Sequence, residues 1–189
     1  MAPRWTRDDW IEHALAQLAA DGPDGVTVDA LCEGAGRTRG SLYHHFDDHD
    51  ALLRAVLAHW RERYTEEVIR DIQKAELEGG LAAARLNDLA TSLDFDVEVG
   101  IRRLAANRPW LRNAVTAADR RRIRFLSTLR EQAGASKEDA EALAELEYAA
   151  FVGAQHLAPV FTPRRLRQLY HYLETMMSRT GTATLREVR

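Results

Sequence analysis

The stretch from Thr27 to Leu53, TVDALCEGAGRTRGSLYHHFDDHDALL, leaves this chain few ways to fold, because three helix starts sit between closely spaced breakers. Thr27 is an N-cap residue for a short helix that carries Val28, Leu31 and Cys32 on one face. Gly34-Ala35-Gly36 then lets the chain reverse. Thr38 offers a second cap, and Leu42 and Phe46, four residues apart, give the next helix one narrow apolar edge. Its other positions, Arg39, Gly40, Ser41, Tyr43 and His44, make a polar face turned outward. A glycine in a helix interior costs roughly 1 kcal/mol against alanine, so Gly40 suggests the close approach of another body. Asp47 with Asp50 resembles a capping box, and Leu53, Val56, Leu57, Trp60 and Tyr64 recur at helical spacing, so a long helix starts near Asp48.

Two short helices joined by a small-residue turn form a helix-turn-helix, whose second helix is short and polar enough to enter the DNA major groove. Hydroxyl and arginine side chains bond phosphate oxygens, and arginine also forks onto guanine, which makes Arg39 the leading base reader. The run AGRTRGSLYHHFDDHDALL resembles the DNA-binding signature of the tetracycline-repressor (TetR) family of bacterial transcription regulators. The resemblance spans roughly residues 4 to 64 and is carried jointly by Gly36, Thr38, Gly40, Leu42-Tyr43, Phe46 and Leu52-Leu53. It implies a DNA face built from Thr27, Arg37, Thr38, Arg39, Gly40, Ser41, Tyr43, His44 and His49, with Tyr43 on a phosphate. Arg37 departs from the family's usual small apolar residue, and His49 stands where a phosphate-binding lysine is common. A histidine with an ordinary pKa near 6.5 is only partly charged at neutral pH, so His49 lowers the expected half-site affinity.

The rest of the chain reads as helices, giving an all-α fold of about nine. Thr6 and Asp9 form a capping-box pattern ahead of Trp10, Ile11, Ala14, Leu15 and Leu18, and Asp21-Gly22-Pro23 ends that run. The fourth helix is expected from about Asp48 to Glu78, stopped by Gly79-Gly80. Leu81 to Leu93 suggests a fifth helix and Val97 to Ala105 a sixth. A seventh runs from Pro109 to Ala133. Ser136 with Asp139 caps an eighth, rich in Ala and Gly153, and Thr162-Pro163 starts a ninth with Leu166, Leu169, Tyr170, Leu173 and Met177 along one side. The expected division is a DNA-binding domain over 1–64, with its helix-turn-helix at about 27–46, and a helical effector-binding and dimerisation domain over 65–189. Family resemblance implies homodimerisation through the last two helices, about 137–157 and 163–178, and repression of a palindromic double-stranded DNA operator relieved by a small-molecule effector.

Charge cuts across this reading. Up to Tyr64 there are seven Arg and no Lys against eleven acidic residues, a balance of 7 − 11 = −4, and the remainder of the chain recovers the total of −3. A DNA reader usually shows a basic footprint. Distribution outweighs the sum here: Asp21, Asp24 and Asp29 lie around one turn, whereas Arg37, Arg39, His44 and His49 are expected on the contact side. The 46% hydrophobic content suffices for a sizeable core. The start lacks a signal-peptide core and no run is long enough to span a bilayer, so a cytoplasmic protein is expected, its single Cys32 a buried structural thiol.

Aromatic residues can line an effector pocket: Trp60, Tyr64, Phe95, Trp110, Phe125, Tyr148 and Phe151, with Leu104 beside them and Glu147 or His156 to orient a ligand. Arg120, Arg121, Arg122 and Arg124 read as a solvated helix face. The group His44, His45, His49, Asp47, Asp48 and Asp50 contains metal-ligand types, giving a rival reading as a helical metal-binding or protein-interaction module without operator binding. No metal site and no cofactor are assigned. The absence of a triad order, P-loop or dinucleotide fingerprint speaks against an enzyme.

Overall fold

A computed structural model describes residues 4–75, 80–157 and 160–180, and every regular element among them is helical. The helices are α1 Arg7–Asp21, α2 Val28–Ala35, α3 Arg39–Tyr43, α4 His49–Arg61, α5 Glu67–Lys74, α6 Gly80–Ser92, α7 Phe95–Ala106, α8 Pro109–Gln132, α9 Lys137–His156 and α10 Pro163–Thr180. The fourth expected run is present but divided: a π turn, Glu62–Glu66, separates α4 from α5. A π turn holds an extra residue, which lets the neighbours Tyr64 and Thr65 both be buried. The expected end at Glu78 and the stop at Gly79 lie outside the described residues, and Gly80 opens α6.

Capping fixes the starts. The Thr6 hydroxyl accepts from the Asp9 amide at 3.1 Å while the Asp9 carboxylate accepts from the Thr6 amide at 2.7 Å, closing both halves of the capping box. α4 is capped by Asp48 rather than Asp47, its carboxylate accepting from the Ala51 amide at 2.6 Å. Ser136 caps α9 as its spacing with Asp139 requires.

The chain forms two compact units. One comprises the residues up to Arg63 together with Asp94–Thr116; the other comprises Tyr64–Leu93 with the residues from Ala117 onward. This grouping differs from one cut after Tyr64, because α7 belongs with α1. At Gly100 of α7 an added Cβ would lie 2.7 Å from the Leu18 carbonyl oxygen, so the two helices approach at a distance only glycine permits. The first unit's core contains Trp10, Leu18, Leu31, Leu42, Leu52, Trp60 and Ile101, all fully enclosed. Trp60 donates its ring N–H to Glu98 Oε1 at 3.0 Å, pairing two polar atoms that burial would otherwise strand. In the second unit, Ile69, Ile72, Ala82, Phe125 and Leu129 form one cluster, and Leu126, Ala144 and Tyr148 another.

Candidate nucleic-acid interface and cavity

The short helix α3 is anchored by the buried Leu42 and, past its end at Tyr43, by the buried Phe46, and it turns Arg39, Gly40 and Tyr43 outward. Its entry is set by Gly36, which ends α2 at φ +60°, a left-handed conformation that costs other residues energy. Thr38 then caps α3, its hydroxyl accepting from the Ser41 amide at 3.3 Å. Thr38, Arg39, Gly40 and His44 are exposed, Ser41 is half-buried, and Tyr43 is 45% exposed. An added Cβ at Gly40 would meet only the Thr38 hydroxyl, at 3.8 Å, so packing within the chain does not require a glycine there. Thr27 caps α2 from an exposed position, its hydroxyl accepting from the Ala30 amide at 3.3 Å.

Two arrangements here escape sequence reading. Arg39 does not stand apart from the acidic turn: its Nε donates to Asp29 Oδ1 at 2.8 Å. Asp29 therefore belongs to the same face as the arginine rather than to a segregated acidic side. Arg4, ahead of α1, donates to His44 Nε2, which adds a second cation beside α3. No spacing rule links Arg4 to His44, so only the fold reveals that neighbour.

The other polar candidates are partly engaged inside the unit. Arg37 lies over the Trp5 ring at 5.8 Å, and His45 donates to the Trp5 carbonyl at 3.0 Å. His49 begins α4 half-buried, with its Nε2–H donating to the Val26 carbonyl at 2.7 Å. A carbonyl only accepts, so this bond fixes the proton on Nε2 and ties the ring to the segment before α2. The imidazoles of 44, 45 and 49 thus face three different partners. Among the described residues, no group of three or more His, Cys, Asp or Glu side chains is placed to hold a metal.

The second unit carries a half-open cavity of about 590 Å³, a volume that includes solvent space at its mouth. Five of the sequence candidates line it: Tyr64, Phe125, Glu147, Tyr148 and Phe151. Trp60, Phe95, Leu104 and Trp110 do not, because α4, α7 and the start of α8 belong to the first unit. There Trp60 and Leu104 are core, and Arg54 covers the Trp110 ring at 5.2 Å. His156 is exposed and also absent from the lining.

Periodicity does not single out Arg122 and Tyr170, which also line the cavity. Arg122 departs from the solvated face expected of its cluster: its Nε donates to the Thr65 hydroxyl at 2.8 Å and its Nη2 to the Tyr64 carbonyl at 3.1 Å. Behind the wall, Arg130 donates to Glu147 Oε2 at 2.7 Å and to Glu174 Oε2 at 2.6 Å. Burial pushes the Glu147 carboxyl above the ordinary range, and the Arg130 guanidinium opposes that rise.

A polar helix held outward by a left-handed glycine and two enclosed apolar anchors defines a helix-turn-helix of the kind that enters a DNA groove. Residues 11–56 match the profile of "Bacterial regulatory proteins, tetR family". Over 77 residues it is 32% identical to the HTH-type transcriptional repressor AcnR of Corynebacterium efficiens, covering 39% of this chain and 41% of that protein. Over 76 residues it is 30% identical to the probable acrEF/envCD operon repressor of Escherichia coli, covering 40% and 32%. The chain thus spans less than half the length of these curated relatives. A TetR-like transcriptional regulator from Rhodococcus sp. RHA1 shares the fold, with a TM-score of 0.77 at 17% identity over 97% of this chain and 100% of that one.

Proposed function

We propose that this chain is a DNA-binding transcriptional regulator, a cytoplasmic repressor that occupies a palindromic operator as a homodimer and is released by a small-molecule effector. One observation carries the reading: α3 buries Leu42, with Phe46 buried just past its end, while Arg39, Tyr43 and the capping Thr38 stay at the surface. In this reading residues 1–64 read DNA, with Arg39 on a base edge and Tyr43, Thr38, Ser41, Thr27 and His44 on phosphates. Gly40 lets the duplex backbone come close, since nothing within the chain fills the space beside it. Arg37 and His49 support the face through Trp5 and Val26 instead of leading the contact.

Residues 65–189 bind the effector and form the dimer. Support for the dimer comes from apolar side chains left at the surface of the last two helices: Leu146 on α9, and Tyr172 and Met176 on α10. Ala142, Ala149 and Gly153 continue the α9 stripe at helical spacing and allow close helix approach. Two copies then present two α3 helices to half-sites separated by about one DNA turn or a multiple of it.

The test is selection of bound duplexes from a random pool by the full chain, with sedimentation of the protein alone. The expected result is an enriched inverted repeat and a particle of twice the chain mass. A monomer that enriches no sequence would end the proposal.

A further inference from the structure

The cavity wall is mainly aliphatic and aromatic, with Val68, Leu86, Ala90 and Leu93 among its apolar residues. Its two charged lining groups, Arg122 and Glu147, are already matched within the fold. Arg122 Nη1 donates to the Tyr148 hydroxyl at 3.2 Å, and that hydroxyl donates to Asp119 Oδ1 at 2.6 Å. Glu147 shares the Arg130 guanidinium with Glu174. A charged ligand would enter an apolar space whose counterions are engaged, and exchanging water for such surroundings is costly. An anion would also meet the Glu147 carboxyl, whose guanidinium is shared with Glu174.

Tyr170 differs from these groups. It is 7% exposed and lines the cavity, and its hydroxyl has no hydrogen-bond partner among the described residues. Burial and the nearby Glu147 keep the phenol protonated, so it acts as a donor. A buried donor without a partner gains most from a ligand that supplies an acceptor.

We infer that the cavity takes an uncharged, largely apolar small molecule bearing one carbonyl or hydroxyl oxygen, which accepts the hydrogen bond of Tyr170. This inference rests on the effector reading and narrows it to a ligand class. The polar oxygen sets the orientation, and the hydrocarbon portion fills the apolar wall.

The experiment is isothermal titration of the full chain with decan-2-one, decanoate and decylammonium, each below its aggregation concentration. Decan-2-one should bind at least tenfold more tightly than either charged probe. Tyr170→Phe, which removes only the hydroxyl, should weaken the ketone roughly tenfold. Ala90→Phe, which fills the cavity from α6, should abolish binding of the ketone while the chain stays folded by circular dichroism. Preference for decanoate or decylammonium, no binding of any probe, or a Tyr170→Phe chain equal to wild type would each overturn the inference. Ketone binding as expected, combined with unchanged operator affinity, would uphold the ligand class and remove the effector role.

Discussion

Arg39 in the first unit and Arg130 in the second both hold carboxylates at short range, yet the two contacts mean different things physically. The Arg39 and Asp29 side chains are 66% and 70% exposed, whereas the Arg130 side chain is 8% exposed. An exposed pair is screened by water and contributes about 0–1 kcal/mol, so it can yield to another partner at little cost. A buried guanidinium between two carboxylates cannot be released without stranding charge in a low-dielectric interior. Arg39 is therefore available for recognition, and Arg130 is committed to the fold. Distance alone would not separate them.

The largest effect should come from Arg130→Met. It leaves Glu147 and Glu174 without their cation, and urea unfolding at pH 7 should show a loss of about 3–5 kcal/mol. A change below about 1 kcal/mol would place Arg130 in the same class as Arg39. Arg39→Ala comes next, with stability unchanged within about 0.5 kcal/mol and operator affinity reduced by about 1–3 kcal/mol in fluorescence anisotropy. Tyr43→Phe should lose a single phosphate contact, about 1 kcal/mol, in the same assay.

Asp29→Asn sharpens the comparison further. Asp29 takes one edge of the Arg39 guanidinium and limits how the remaining N–H groups are aimed. Its loss should relax discrimination at one base pair per half-site by less than about 1 kcal/mol while leaving stability intact. Equal discrimination by both proteins would show that Asp29 only neutralises charge.

The smallest effect is a pH slope. The native Glu147 carboxyl titrates above its ordinary value of 4.5 because of burial. Between that value and the native one, the folded chain holds a proton that the unfolded chain has released, so stability falls as pH rises through the window. Urea midpoints taken upward from pH 4.5 should show this slope in the wild type and lose it in Glu147→Gln; identical slopes would refute it.

Much of the fold was legible in the sequence because helix starts and apolar stripes are local properties. Thr6, Thr27, Thr38 and Ser136 cap where their spacing requires, and Leu42 and Phe46 are both buried, although α3 ends at Tyr43 and leaves Phe46 beyond it. Tertiary partners were not legible. An apolar stripe says that a helix face is covered but not by which helix, so Trp60, Phe95, Leu104 and Trp110 read like cavity residues when they belong to the first unit. The π turn at Glu62–Glu66 left no mark either, because one extra residue scarcely alters a helical pattern. Asp29 was misread for a related reason: spacing along the chain cannot show that a capped turn lies beside the next helix.

Parallel selection from one random duplex pool by the wild-type chain and by Arg39→Ala tests the outward α3 most directly. The expected result is an inverted repeat for both proteins, with a preferred guanine in each half-site that is lost in Arg39→Ala while flanking preferences persist. Identical motifs from the two proteins, or no motif from the wild type, would contradict it.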